Sequence, residues 1–230
     1  MRPGERPEIS RLPLFAEMRE DERDRLFTAS FLQVFPPELT LFEAGQQPDF
    51  LHVLVDGLVE LTSTNNGRET TVTIVEPVHS FILAAVVTDM PYLMTARTLR
   101  ASRILMAPAE MLRGVIQRDK ALMLAVIGEL ANGYREFVRI LTDLKLRQST
   151  ERIGNYLLLQ SRHMGGADTF HLPGEKKMLA SLLGMTPENL SRGFGALATE
   201  GVQVSGSLVR ITDRARLETF SRPDIVYDLQ

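Results

Sequence analysis

The spacing of hydrophobic positions changes character twice along this chain. Residues 9–33 (ISRLPLFAEMREDERDRLFTASFLQ) read as short helical pieces. From about 34 to 107 short β-rich runs take over, as in FLHVLVDGLVELTS, with Gly45, Gly57 and Asn66-Gly67 as punctuation. SFILAAVVTDMPYLM fits neither period cleanly, and TARTLRASRILMAP returns to strands. Many short strands at this spacing predict a barrel or a jelly roll.

After Pro108 the helical period dominates. Met123, Leu130, Phe137 and Leu144 recur every seven residues, and Ile127, Tyr134 and Leu141 do so at an offset. The bland reading is a helix lying on its own domain's core. The length and regularity of the seam favour a dimer coiled coil. DLKLRQS (143–149) is a polar interval and a plausible hinge, and ERIGNYLLLQSRHMG (151–165) predicts another helix. ADTFHLP (167–173) can supply a short strand. KKMLASLLG (176–184) predicts a short amphipathic helix closed by Gly184. Thr186 then suits an N-cap, Pro187 the first helical position and Glu188 the first turn. Two short helices joined by a glycine-containing turn form a helix-turn-helix pattern. VQVSGSLVRI (202–211) predicts a hairpin closed by Ser205-Gly206-Ser207, which makes the arrangement winged.

Within the helix that Thr186 opens, Leu190, Phe194 and Leu197 make one apolar face. Glu188, Ser191, Arg192 and Gly195 fall on another. Arg can donate twice to the O6 and N7 of guanine, and Glu can accept from the N4 of cytosine. Glu188 and Arg192 are four apart, so one face can address both bases of a G·C pair, with Ser191 on a neighbouring base. The bland alternative is an intrahelical Glu188–Arg192 ion pair beside a solvated serine. Lys176, Lys177, Thr186 and Arg210 are the nearest candidates for contacts to the DNA backbone.

Composition narrows the classes. The chain has 230 residues, enough for one large domain or two small ones, with 44% hydrophobic residues. It has no run long and apolar enough for a membrane span and no apolar signal core, so a cytoplasmic protein is expected. With no cysteine, disulfides, cysteinyl iron–sulfur clusters and thiol chemistry are excluded. The formal charge of −3 is no nucleic-acid signature, so charge distribution matters more than the total. No glycine-rich phosphate loop, metal-spaced cluster or nucleophile elbow points to an enzyme.

The order of β domain, long heptad helix, helix-turn-helix and wing resembles the CRP/FNR family of bacterial transcription regulators over nearly the whole chain. The residues that carry the likeness are the glycine punctuation of FEAGQQPDFLHVLVDGLVEL, the ERIGNYLL helix and LASLLGMTPENLSRGFGALATEGVQ. The resemblance implies an α+β fold with three parts. These are an effector-sensing, cyclic-nucleotide-binding-like β jelly roll (1–118), a dimerisation helix and hinge (119–146), and a winged helix-turn-helix (147–230). It implies a homodimer on double-stranded DNA, with RNA polymerase as a further partner. Glu188, Ser191 and Arg192 match the Glu-x-x-Ser-Arg of the FNR branch, which implies an inverted repeat of TTGA-like half-sites.

The effector site departs from the family's cyclic-AMP binders. Their Gly-Glu-Leu stretch falls on Leu83-Ala84-Ala85, and their Arg-Ser pair falls near Thr95-Ala96 with Arg97 displaced by two. Their adenine-touching Thr-Ser pair falls on Phe137-Val138. An effector other than cyclic AMP is therefore expected. Phe81, Ile82, Leu83, Thr95, Arg97, Tyr134, Phe137 and Val138 form its candidate pocket, unless they simply fill the barrel and the dimer contact. Haem is a further possibility, with His79 as the histidine nearest the pocket. A ligand-binding module with vestigial DNA contact is the remaining alternative, and the intact Glu188-Ser191-Arg192 face argues against it.

Overall fold

The computed structural model describes residues 1–224. They fall into two compact units, residues 1–134 and the segment from Arg135 onward, so the division lies inside the long helix.

The first unit opens with α1 (Arg6–Ile9) and α2 (Glu20–Ala29), followed by β1 (Phe31–Phe35), β2 (Thr40–Phe42), β3 (Phe50–Asp56), β4 (Val59–Asn65) and β5 (Arg68–Val75). Then come β6 (His79–Phe81), α3 (Leu83–Thr88), β7 (Thr95–Thr98), β8 (Ser102–Pro108) and α4 (Ala109–Arg118). The strands build two antiparallel four-stranded sheets, in the orders β1-β8-β3-β6 and β2-β7-β4-β5. This two-sheet arrangement agrees with the jelly-roll expectation.

One local expectation is corrected and one ambiguous stretch is resolved. Residues 31–33 are strand rather than helix, because Phe31–Phe35 pairs in register with Ser102–Met106. The ambiguous SFILAAVVTDMPYLM contains a six-residue helix, α3, entered through Ile82 at φ +59°. A β-branched residue in the left-handed region is strained, at a cost on the order of 1–3 kcal/mol.

Two apolar clusters hold the unit. One joins Phe15, Leu26 and Phe27 to Leu51, Leu105, Leu112 and Val115. The other fills the space between the sheets with Phe42, Leu54, Val59, Leu61, Phe81, Tyr92, Ala96 and Ile104. Asp119, 1% exposed, closes two helix starts at once. Its carboxylate accepts from the N–H of Leu122 at 3.0 Å and from that of Arg19 at 2.8 Å.

The long helix α5 (Lys120–Leu146) follows Asp119. Leu122 and Val126 are buried in the first cluster, with Ala125 and Leu130 packed against it. Met123, Ile127, Tyr134, Phe137, Leu141 and Leu144 are exposed, Tyr134 to 69% and Phe137 to 59%. The core-facing stripe and the heptad seam are thus different faces, and only Leu130 is shared.

The second unit continues with α6 (Ser149–His163), β9 (Thr169–His171), α7 (Lys176–Leu182), α8 (Pro187–Leu197), β10 (Val202–Ser205), β11 (Leu208–Ile211) and α9 (Arg214–Ser221). The break before α6 is narrower than the 143–149 expected, because α5 stays helical to Leu146. Arg147 holds Asp143 at 2.6 Å, and the Gln148 N–H donates to Glu151 at 2.8 Å to start α6. Ile153, Leu157, Leu190, Phe194, Leu197, Val209 and Leu217 form the core of this unit.

Candidate nucleic-acid interface

The recognition candidate, α8, is fixed at its start, along one face and behind. Thr186 caps it by accepting the Asn189 N–H at 3.3 Å, and Pro187 takes the first position. Leu190, Gly193, Phe194 and Leu197 are its buried residues. A Cβ on Gly193 would meet the end of the Ile153 side chain, which would have to turn aside for it. The turn between α7 and α8 is held from α6, where Arg152 donates to the Leu183 carbonyl at 3.1 Å.

The opposite face of α8 is open. Glu188, Ser191, Arg192 and Gly195 are all exposed. A Cβ on Gly195 would meet nothing within 4 Å. Arg192 does not pair with Glu188; its Nη2 donates to the side-chain oxygen of Asn189. The Glu188 carboxyl is held below its ordinary range by its own backbone N–H, then by the Thr186 hydroxyl, with the Arg192 charge adding to both. The pattern of the sequence did not single out Asn189. Its role depends on which way a side chain three residues away is drawn.

Around this face, Lys176, Lys177, Thr186 and Arg210 are exposed. Lys176 stands 5.8 Å over the Phe194 ring at the start of α7. Lys177 and Arg210 have no ion pair among the described residues, whereas Arg214 and Arg216 are taken by Asp168 (2.7 Å) and Glu200 (3.2 Å). The wing turn is two residues, Gly206-Ser207, with Ser205 inside the strand and paired to Leu208. β9 completes a three-stranded sheet in the order β10-β11-β9. His171 on β9 lies 3.1 Å from the Ser207 hydroxyl, a wing-tip contact that the spacing of residues did not reveal. Beside it, Lys176, Gly174, Gly206 and Ser207 line a cleft of about 250 Å³.

The effector candidates are distributed differently. Phe81 (3% exposed) stacks on Phe42 and His52, with centroids 6.1 and 5.4 Å away. Leu83 is buried, Ile82 half-buried, and Tyr134 and Phe137 exposed, with Val138 half-buried. On β7, Ala96 belongs to the inner cluster, so strand alternation turns Thr95 and Arg97 to the other face. Thr95 accepts the Ala44 N–H at 3.1 Å, and Arg97 pairs at 2.8 Å with Glu60, whose other oxygen accepts from Thr71.

Haem does not fit His79, which is exposed on β6 rather than enclosed by apolar walls. The buried histidine is His52, stacked on Phe81 and tilted against Phe42. Burial pushes its pKa from 6.5 to about 4 against a backbone hydrogen bond at Phe50. Among the described residues no group of three or more His, Asp or Glu could hold a metal ion, and no helix is long and apolar enough to cross a membrane.

Comparison with known proteins decides the family. The model of the cyclic nucleotide-binding domain matches residues 32–119, and that of the Crp-like helix-turn-helix domain matches residues 151–220. The chain belongs to the CRP/FNR family. This CRP/FNR protein is accordingly a transcription regulator with a DNA-binding helix-turn-helix, and the family is not one of enzymes.

Among solved structures, a Ruegeria pomeroyi protein named for cyclic nucleotide binding is 25% identical, over 97% of this chain and 100% of that one, with a TM-score of 0.63. FixK2 from Bradyrhizobium japonicum is 18% identical over 85% and 98%, with a TM-score of 0.75. A protein from Eubacterium rectale assigned to the crp/fnr family is 17% identical over 92% and 98%, with a TM-score of 0.73. The last two speak for the fold alone. None of the curated proteins matches this sequence.

Proposed function

We propose that this CRP/FNR regulator binds, as a symmetric homodimer, an inverted repeat of TTGA-like half-sites. α8 lies in the major groove, with Glu188 and Arg192 on a G·C pair and Ser191 beside them. Lys176, Lys177, Thr186 and Arg210 contact phosphates. The observation that carries this reading is the outer face of α8. Its three base-reading candidates are exposed together, and no ion pair among the described residues joins the carboxylate to the guanidinium.

The dimer reading rests on the exposed seam of α5, from Met123 through Ile127, Tyr134, Phe137 and Leu141 to Leu144. An apolar stripe of that length in water stabilises association when a second copy covers it. RNA polymerase is the further partner and the cytoplasm the location, both as family membership suggests.

The effector is a small molecule other than cyclic AMP. Two observations support this. The positions matching the ribose-binding stretch, Leu83-Ala84-Ala85, carry no acid, and the nearest arginine, Arg97, is already held by Glu60. A phosphodiester needs an available cation and donors.

The test is fluorescence anisotropy with a labelled duplex of about three helical turns, enough for two half-sites one turn apart. The expected result is saturation at two protomers per duplex. Affinity should fall about tenfold or more when the guanine of each half-site is changed. Equal affinity for the intact and scrambled repeats would overturn the reading.

A further inference from the structure

Opposite charges four apart on a helix attract each other, and a glutamate preceding an arginine at that spacing is the favoured order. Glu188 and Arg192 have that spacing and that order, yet the arginine's hydrogen bond goes to Asn189. Glu188 is instead engaged at the helix start, with its own N–H and the Thr186 hydroxyl. Asn189 is well placed to draw the arginine aside. Its backbone N–H is fixed by Thr186 at 3.3 Å, and its side chain is half-buried rather than free in solvent.

The chemistry of the amide matters. Its oxygen takes one of the five N–H groups of the guanidinium and leaves the others for a base edge. Being neutral, it leaves the positive charge intact, where a carboxylate would cancel it. An arginine locked to Glu188 would have to break an ion pair before reading guanine, and the glutamate would have to do the same before accepting from cytosine.

We propose that Asn189 is a positioning residue for sequence reading: it holds the Arg192 guanidinium off the Glu188 carboxylate and so keeps both available to the two bases of one G·C pair. This rests on the base-reading role of α8 proposed above.

The experiment measures discrimination, the ratio of dissociation constants for the repeat with and without its guanines, together with the thermal midpoint. Full-length wild type is compared with Asn189→Ala, Asn189→Asp, Arg192→Ala, Glu188→Gln and the Asn189→Ala/Glu188→Gln double variant. Asn189→Ala is expected to lower discrimination about three- to tenfold, a fraction of a full bidentate contact, with the midpoint unchanged. Asn189→Asp should lower it at least as much, because it substitutes one competing carboxylate for another. In the Glu188→Gln background the loss on Asn189→Ala should shrink, because the trap is gone.

Unchanged discrimination in Asn189→Ala overturns the proposal if Arg192→Ala loses it. So does a loss of equal size in both backgrounds. If Arg192→Ala itself leaves discrimination intact, base reading by α8 is what fails, and the role of Asn189 falls with it.

Discussion

Two glycines one turn-fraction apart on α8 offer a sharp test, because the protein uses them for opposite reasons. Gly193 faces α6, and Gly195 faces away from the core. In a helix interior alanine is better than glycine by about 0.8–1 kcal/mol, less near an end. Gly195 lies close to the end of α8 at Leu197, so about 0.5 kcal/mol is a fair expectation for Gly195→Ala. Nothing within 4 Å opposes the new methyl. Gly193→Ala, farther inside the helix, gains about 1 kcal/mol of propensity but drives a methyl against the end of the buried Ile153 side chain. Overpacking of that kind costs about 1–3 kcal/mol, so the net change is a loss of up to about 2 kcal/mol.

Urea unfolding of the full-length variants gives both numbers. Anisotropy on the inverted repeat then supplies the functional half. If the face bearing Glu188, Ser191, Arg192 and Gly195 meets DNA, Gly195→Ala weakens specific binding by roughly threefold or more while the fold becomes more stable. A stabilised Gly195→Ala protein that binds the repeat as tightly as wild type would refute the claim that this face is the contact surface. A Gly195→Ala protein that is less stable would refute the reasoning from open space.

Three further outcomes follow from the structure. His52 is held neutral by burial, with its pKa about 4 against 6.5 when unfolded, so proton uptake on unfolding erodes stability as pH falls between those values. The effect approaches about 3 kcal/mol near pH 4, and His52→Phe should flatten that part of the difference between urea midpoints at pH 7 and pH 4.5; an identical pH dependence would refute it. Asp119→Ala strands two N–H groups and should cost about 2 kcal/mol in urea unfolding, with Asp119→Asn intermediate; equal loss in both variants would point to charge rather than hydrogen bonding. Phe137→Glu places a charge in the exposed seam of α5 and should give a monomer by sedimentation velocity at micromolar concentration; a persistent dimer would relocate the interface.

The long periods were legible in the sequence. Seven-residue spacing marked α5, the Thr186-Pro187 start marked α8, and the punctuated β runs marked the two sheets. The limits lie where the outcome depends on partners distant in the chain. Phe31–Phe35 reads as either state until Ser102–Met106 is beside it. Arg97 was a pocket candidate because it lies two residues from the position of the family's Arg-Ser pair, and only the pairing with β4 puts it opposite Glu60. At the α8 face the residue types were readable at once. What the sequence withheld was the choice Arg192 makes between two acceptors, at three and at four residues' distance, since both satisfy the same helical geometry.

Asp119 ties together two stretches far apart in the chain. Arg19 and Asp119 are 100 residues apart, and their contact forms where the N-terminal helices meet the first turn of α5. Closing so long a loop carries an entropic cost, which pairing of the strands between its ends reduces. Leu122 and Val126 belong to the core of the N-terminal unit, so that unit is complete only when the first turns of α5 have joined it. The helix that carries the apolar seam is therefore anchored at its start by the same contacts that close this core. If α5 pairs two copies as proposed above, loss of the Asp119 anchor would loosen that seam at its root as well as the fold.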